Sequence, residues 1–462
     1  MSSIRVKTAL AHVADGRSDF FARREKIAQE EIRTLDWLRE AVEVVESPIL
    51  NSIQDVRDFV EATICSGVQS LIIHFPIWAD PIFSIKLHNL LNLPILLLGN
   101  DRPDSSSMVG MLGAGGALDQ IGARHTRIFE HHSVEARRDA LAFLRAAAAF
   151  KLLRGQTLGL FGGRSLGIFT AGADTAQWQR LFGIDIEILD QYEIIQRAEN
   201  LELQEVSQHV NWLTGKLASV NYSGIFTPFT FEKQVRSYLA TRQLAAEHGF
   251  DFIGVKCQPE MCDGYVSQCV SHCLMNSILD ADGNKQALVH ACESDADGAL
   301  TMQILNHVSE GKPAALLDMR WYNAQTHTWV LANCGAAPTS FFATETDPSG
   351  LSNLRMQEHV FGKGGGGAIS GAIQPQQVTL ARLCRRDGEY WMAILPAKTL
   401  AMTQDDMAKT TSAFPQACIQ ANDDANFVNE FGSNHIHMVA GEYSKELIAF
   451  CQMVGIPWKI WR

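Results

Sequence analysis

Short apolar runs alternate with longer segments of helical periodicity through the first 155 residues of the chain. The runs at 69–75 (QSLIIHF) and 94–100 (PILLLGN) are typical of buried strands, while 134–152 (VEARRDALAFLRAAAAFKL) indicates an alanine-rich amphipathic helix. Strands that alternate with helices form βαβ units and a mostly parallel sheet. The pattern therefore predicts an N-terminal α/β domain over residues 1–155.

A second α/β pattern begins at residue 155 with GQTLGLFGGRSLGIFTAGAD and predicts a second domain over residues 156–310. Its glycine-rich turn lacks the G-x-G-x-x-G spacing of a dinucleotide site, so a nucleotide cofactor is not favoured. After residue 311 the pattern changes to strands. Asp387-Gly388 between two alternating runs is a strong hairpin signal. A β-rich C-terminal domain is predicted over residues 311–462.

The net charge of the chain limits the kinds of molecule that it is expected to bind. A net charge of -12 and a pI of about 5.7 argue against nucleic acid or an anionic membrane as the main partner. The longest apolar stretch is far shorter than the roughly 20 residues that span a bilayer. The first residues have no apolar core of a signal peptide, so a cytoplasmic location is expected.

Four of the ten cysteines cluster at Cys257, Cys262, Cys269 and Cys273. Their spacing does not match the paired knuckles of zinc ribbons, and a reduced, structural role is favoured.

The stretch 290–300 (HACESDADGAL) places three carboxylates, Glu293, Asp295 and Asp297, between an apolar strand-like run and an apolar helix-like run. Acidic residues favour the first turn of a helix, which accounts for Asp295 and Asp297. Glu293 precedes that turn and is the candidate for chemistry.

Two further polar residues stand in apolar surroundings: Asp318 in AALLDMRWYN and His435 in GSNHIHMVAG. Read singly, Asp318 could pair with Arg320, and His435 could be a core histidine. Together with Glu293 they make a set of two carboxylates and one imidazole. Such a set suits Mn²⁺ or Mg²⁺ and leaves positions for substrate oxygens.

The segments ESDADGALTM, LLDMRWY and SNHIHMVAGEYSKELIAFCQMVGIPW resemble, in that order, the metal-site pattern of the L-fucose isomerase family. L-arabinose isomerases are more distant relatives of that family. VADGR, HFPIW, GGRSLGIFTAGAD and FIGVKCQ agree in order as well, so the resemblance spans nearly the whole chain. It implies two Rossmann-like α/β domains followed by a β-rich, barrel-like C-terminal domain.

The resemblance also implies roles for individual residues. Glu293 and Asp318 would be catalytic acid/base groups and, with His435, ligands of a divalent metal, foremost Mn²⁺, with Mg²⁺ and Co²⁺ as alternatives. Four residues match the family's sugar-contacting positions: Arg17, Trp78, Gln258 and Asn434. The family assembles as a hexamer with sites at subunit interfaces, so a homo-oligomer is expected.

The implied function is aldose–ketose isomerisation of a monosaccharide through an enediol(ate) intermediate, of the L-fucose or D-arabinose type. Two alternatives remain open from the sequence. One is isomerisation of a modified sugar (acidic, sulfonated or branched) on the same site. The other is a sugar-binding protein without catalysis.

Overall fold

The computed structural model of the protein describes residues 6–421 and 425–461. The chain forms two compact units. The first unit contains residues 6–152 and 445–455, and the rest of the described chain forms the second. The division into three domains expected from the sequence remains a prediction.

The first unit is built on a five-stranded sheet. Its strands are β1 (Lys7–Val13), β2 (Glu43–Leu50), β3 (Ser70–His74), β4 (Ile95–Leu98) and β5 (His125–Ile128). They lie in the order β2-β1-β3-β4-β5, and all neighbours are parallel. Within β3, Leu71 and Ile73 join one apolar layer and Ile72 joins another. Because both faces are covered, the strand is a continuous apolar run.

Helices pack on both faces of this sheet. Phe59 and Phe83 belong to one layer, and Phe143 of the predicted alanine-rich helix belongs to the other. Phe450, near the C-terminus, packs against Phe150 with ring centroids 6.4 Å apart. A C-terminal helix thus completes the N-terminal unit. The helices are Ser18–Arg33, Asp36–Ala41, Ile53–Thr63, Pro81–Leu91, Ser107–Gln120, Val134–Leu153 and Ser444–Val454.

The second unit contains the remaining strands. They are β6 (Thr157–Phe161), β7 (Asp185–Leu189), β8 (Ser219–Asn221), β9 (Phe252–Val255), β10 (Leu279–Asp280), β11 (Gly283–Asn284), β12 (His290–Cys292), β13 (Ala314–Asn323), β14 (Thr328–Ala332), β15 (Arg355–Glu358), β16 (Gly367–Ala372), β17 (Gln377–Arg386), β18 (Glu389–Leu400), β19 (Pro415–Gln420), β20 (His435–Ala440) and β21 (Trp458–Ile460). Four of them form a parallel sheet in the order β12-β9-β6-β7. Ten form a large mixed sheet in the order β21-β18-β17-β20-β13-β14-β19-β16-β15-β8.

Six strands of the large sheet pair in a closed ring. Neighbours in the ring are antiparallel and follow the order β18-β17-β20-β13-β14-β19. The ring closes because β19 also pairs with β18. The predicted hairpin turn joins β17 to β18. Both of its central residues have left-handed backbone, with φ of 52° at Asp387 and 83° at Gly388, which matches strand twist.

The helices of the second unit connect these sheets. They are Thr175–Phe182, Tyr192–Glu199, Leu203–Lys216, Pro228–His248, Cys262–Gly264, Cys269–Met275, Ala296–Val308, Gln404–Ala408 and Ala425–Glu430. Among the described residues, no helix combines the length and the apolar character needed to cross a membrane. The ten cysteines are free thiols, and the four of the sequence cluster are buried. The chain is a mixed α/β protein with parallel sheets and a large mixed sheet in its C-terminal part.

Candidate metal centre

Glu293 and Asp318 both approach His435 in the second unit. Glu293 directly follows β12, Asp318 lies in β13, and His435 begins β20. Asp318 and His435 are directly opposite each other in the antiparallel pair of β13 and β20, a register that holds such side chains close. Nε2 of His435 lies 3.3 Å from Oε2 of Glu293 and 3.6 Å from Oδ1 of Asp318.

The backbone at Glu293 is held in an uncommon conformation. Glu293 and Ser294 have φ of 58° and 54°, in the left-handed region that side chains other than glycine rarely adopt. Such residues cost about 1–3 kcal/mol each and cluster at functional sites. Here the two residues turn the chain from β12 into the helix Ala296–Val308. The turn brings the Glu293 carboxylate to His435.

Asp295 performs two tasks. It is the N-cap of the helix Ala296–Val308 and accepts a hydrogen bond from the backbone N–H of Gly298 at 2.8 Å. It also lies 2.7 Å from Nδ1 of His435 and contacts Nη1 and Nη2 of Arg382 at 2.5 and 3.0 Å. The helix-start role expected from the sequence is correct for Asp295 but incomplete.

The contact with Asp295 determines which ring nitrogen of His435 can bind a metal ion. When Nδ1–H donates to Asp295, Nε2 faces Glu293 and Asp318, and a bound ion would take the place of the proton on Nε2. Metal-binding histidines commonly have their second nitrogen held by a carboxylate in this way. The residues present therefore fit a divalent ion: two carboxylates and an oriented imidazole, held by a buried aspartate.

Burial and neighbouring charges shift the pKa values of Asp295, His435 and Asp318. Burial by itself would raise the pKa of Asp295, but Arg382 and His435 hold it well below its usual range. Burial would lower the pKa of His435, but its bonds to Asp295 and Glu293 raise that pKa to about 10. Burial raises the pKa of the Asp318 carboxyl, opposed by His435.

Asp297 does not behave as an ordinary first-turn residue. Its side chain is buried, accepts a hydrogen bond from the Tyr390 hydroxyl at 2.6 Å, and pairs with Nε of Arg385 at 2.9 Å. Burial raises the pKa of Asp297 to about 6. Asp297 does lie in the first turn of the helix, as expected, but that role is incomplete, because a buried charge also depends on its partners.

Two predicted sugar contacts lie in the second unit with the metal group. Asn434 donates a hydrogen bond from Nδ2 to Oδ1 of Asp318 at 3.3 Å. Gln258 follows β9, whose Val255 is paired in parallel register with Cys292 of β12. Because the carboxyl ends of parallel strands meet at one sheet edge, Gln258 and Glu293 leave the sheet on the same side.

The other two predicted contacts, Arg17 and Trp78, lie together in the first unit. The Arg17 guanidinium is 5.1 Å from the centre of the Trp78 ring and 4.2 Å from that of Phe20. Asp15 binds the same guanidinium at 2.7 Å. Both residues follow carboxyl ends of parallel strands, the edge at which open α/β sheets bind ligands.

Sequence reasoning missed the functional contacts of Asp295 and Arg382. Arg382 is fully buried in β17, inside the apolar run VTLARL. A single arginine within an apolar run is the sequence feature that indicates such a contact, because a buried guanidinium requires a charged partner.

Comparison with known proteins adds an independent observation. Residues 331–462 match the family model of the C-terminal domain of L-fucose isomerase. A sulfoquinovose isomerase from Priestia aryabhattai is 19% identical over 466 residues, an alignment that covers 98% of this chain and 99% of the relative. The chain is thus similar to L-fucose isomerase in its C-terminal part and to a sulfoquinovose isomerase over nearly its whole length. The family predicted from the sequence is therefore confirmed, and with it the class of enzyme, a sugar isomerase.

Two further relatives are also named sulfoquinovose isomerase. A sulfoquinovose isomerase from Clostridium sp. (strain MSTE9) is 22% identical over 430 residues, covering 90% of this chain and 91% of the relative. One from Alkalicoccus urumqiensis is 24% identical over 265 residues, which span 57% of this chain and about half of the relative (55%). Among solved structures, a periplasmic solute-binding protein from Actinobacillus succinogenes with bound D-allose reaches a TM-score of 0.15 at 14% identity, covering 55% of this chain and 79% of that one. That similarity is too low to support a conclusion.

Proposed function

We propose that this protein is a metal-dependent aldose–ketose isomerase that converts a monosaccharide through an enediol(ate) intermediate. The observation that supports the proposal is the approach of Glu293 and Asp318 to Nε2 of His435, whose Nδ1 is held by Asp295. Mn²⁺ is the metal best suited to two carboxylates and one imidazole, with Mg²⁺ and Co²⁺ as alternatives.

The residues of the site match the demands of the reaction, which moves a proton between C1 and C2 of the sugar. A bound divalent ion would polarise the carbonyl and stabilise the negative charge that develops on the sugar oxygens. Glu293 and Asp318 would remove and return protons, and such groups contribute about 10²–10⁴-fold each. Asn434 would hold Asp318 in place and contact the sugar.

The substrate class follows from the relatives. The matches over nearly the whole chain are to sulfoquinovose isomerases, whereas the match to L-fucose isomerase covers residues 331–462 only. We therefore favour a sulfonated sugar over one of the fucose or arabinose type. The acid/base pair at Glu293 and Asp318 disfavours a sugar-binding protein without catalysis, because binding alone needs no proton transfer.

The proposal extends to architecture and assembly. The two parallel sheets would be the centres of two Rossmann-like domains, and the closed ring of six strands would be the core of a barrel-like C-terminal domain. The protein would be a cytoplasmic homohexamer. Arg17 and Trp78 of one subunit would close the pocket of a neighbour, in which Gln258 and Asn434 contact the sugar.

The test is an assay of ketose formation by the full-length protein after removal of metal with EDTA. Sulfoquinovose, L-fucose and D-arabinose are each tested with and without added Mn²⁺. We expect Mn²⁺ to restore turnover, and sulfoquinovose to be the preferred substrate. Preference for L-fucose or D-arabinose would overturn the substrate class, and full turnover in EDTA would overturn the role of the metal.

Matched variants test the residues. Glu293→Gln removes the proton acceptor without changing the shape of the side chain, so turnover should be lost. Glu345→Gln removes an exposed carboxylate of the same unit and should leave turnover unchanged. Equal turnover in the two variants would remove Glu293 from the mechanism.

A further inference from the structure

Three side chains of the first unit have the composition of a second metal site. One ligand atom each from Glu31, His131 and His132 lies within 4.8 Å of the others. Glu31 lies on the helix Ser18–Arg33, and the two histidines lie in the segment between β5 and the helix Val134–Leu153. Residues 100 positions apart in sequence thus meet beyond the carboxyl end of β5.

The distances between Glu31 and the two histidines are too long for hydrogen bonds but close to those between ligands of one metal ion. Oε2 of Glu31 lies 3.6 Å from Nε2 of His132 and 3.9 Å from Nε2 of His131. In a tetrahedral zinc site with bonds of about 2.1 Å, ligand atoms are about 3.4 Å apart. The two distances from Glu31 exceed this separation by about 0.2 and 0.5 Å.

The hydrogen bonding of the group is incomplete. His131 is fully buried, and within the described part of the chain neither of its ring nitrogens has a hydrogen-bond partner. Oε2 of Glu31, the oxygen that faces both histidines, is buried and has none there either. Buried polar atoms nearly always have a partner, so these three atoms indicate a ligand that the protein itself does not supply.

The charges around the group permit a cation. Arg102 faces the other oxygen of Glu31, with Nη1 at 3.5 Å from Oε1. Arg102 also forms ion pairs with Glu30 at 2.7 Å and with Asp104 at 2.6 Å. Burial lowers the pKa of His131 to about 4, so the ring is neutral at neutral pH, the form that binds metals. The His132 side chain is 37% exposed and leaves a path for the ion from solvent.

A second group of possible ligands differs in its charge balance. His209, Asp280 and Asp282 also place ligand atoms within 4.8 Å of one another. There Arg242 binds Asp280 at 3.0 Å and Asp282 at 2.7 Å, so a cation of the protein already compensates both carboxylates.

We propose that Glu31, His131 and His132 bind a divalent transition-metal ion, and that Zn²⁺ is the best match. Two imidazoles and one carboxylate are a ligand set that zinc accepts with a fourth position left for water. The ion would join the helix Ser18–Arg33 to the segment that follows β5. This site is separate in sequence from the group of Glu293, Asp318 and His435 and does not depend on the isomerase activity.

The test measures how many equivalents of Zn²⁺ the full-length, EDTA-treated protein retains in equilibrium dialysis against a metal buffer. His132→Ala and Glu31→Gln should each retain one equivalent less than the unmodified protein, because loss of a ligand weakens binding by about 100-fold or more. His248→Ala removes an exposed histidine of the second unit and should retain the full number. Any zinc bound by the Glu293 group or by thiols is the same in all variants and cancels.

The outcomes are distinct. Loss of one equivalent in both variants of the group, but not in His248→Ala, supports the site. The same stoichiometry in all four proteins would overturn it and leave water as the partner of the buried atoms. If His248→Ala also retained one equivalent of Zn²⁺ less, the proposed site would be overturned, because the binding would then be unspecific and due to surface histidines. Glu31→Gln preserves shape, and circular dichroism of each variant verifies that the comparison is between folded proteins.

Discussion

Oδ2 of Asp295 lies 2.7 Å from Nδ1 of His435, and the two residues are 140 positions apart in the chain. Asp295 caps a helix with Oδ1 and orients the imidazole with Oδ2. Arg382 pairs with both oxygens and balances the charge. The candidate metal centre therefore depends on a carboxylate that is not itself expected to touch the metal.

Replacement of Asp295 should weaken metal binding without removing a metal ligand. Asp295→Asn keeps an N-cap side chain, since asparagine caps as well as aspartate does, but loses the negative charge beside His435. We expect Mn²⁺ affinity to fall by about 10–100-fold. Isothermal titration with Mn²⁺ measures the change.

Asp174→Asn is the matched control. Asp174 caps the helix Thr175–Phe182 by accepting from the backbone of Gln177 at 2.7 Å. Its replacement should leave Mn²⁺ affinity unchanged. If both substitutions lower the affinity equally, the Asp295 contact with His435 has no special role.

Asp297→Asn should destabilise the protein by more than a first-turn residue would. The change removes the charge that pairs with Arg385 inside the protein, while an amide can still accept from Tyr390. We expect a loss of about 1–3 kcal/mol in the free energy of unfolding. Urea unfolding at neutral pH measures it, and a loss of only a few tenths would show that the charge pair contributes little.

The stability of the protein should fall in acid because of buried histidines in the first unit. His74 is fully buried, and burial lowers its pKa well below the ordinary value, as do His12, His131, His132 and Arg39 around it. Below about pH 6.5 the unfolded chain binds a proton that folded His74 does not, so stability decreases as pH falls. Each such group contributes a slope of up to about 1.4 kcal/mol per pH unit.

His74→Asn tests this by removing one such group. In EDTA, the free energy of unfolding between pH 6.5 and 4 should depend less steeply on pH in the variant. The slope, not the absolute stability, is the measured quantity. Parallel curves for the two proteins would show that His74 takes up its proton equally in both states.

Mixed oligomers test whether sites are shared between subunits. If Trp78 serves a neighbour's pocket, inactive Glu293→Gln and inactive Trp78→Ala chains should complement each other, since some pockets receive both intact residues. Part of the activity should return after the two proteins are unfolded and refolded together. Absence of recovery, with mixed oligomers demonstrated by differently tagged chains, would mean that each pocket is built from one chain.

Much of the fold was predictable because local patterns decided it. The apolar runs at 69–75 and 94–100 became β3 and β4, since strands covered on both faces must be apolar throughout. Asp387-Gly388 became a two-residue turn, since its two left-handed residues match the twist of a hairpin. The sequence of the C-terminal helix Ser444–Val454 does not show that this helix packs in the first unit.

The sequence predicted Glu293, Asp318 and His435 as metal ligands, because two carboxylates and one imidazole suit a divalent ion and occur in the order of the L-fucose isomerase pattern. The sequence by itself determined the strands and helices, and which side chains could bind a metal. Only the tertiary structure decided that Asp295 holds His435, that Arg382 balances Asp295, and that Glu31 meets His131. These contacts join distant parts of the chain, and their geometry depends on strand register and helix placement, which no local pattern specifies.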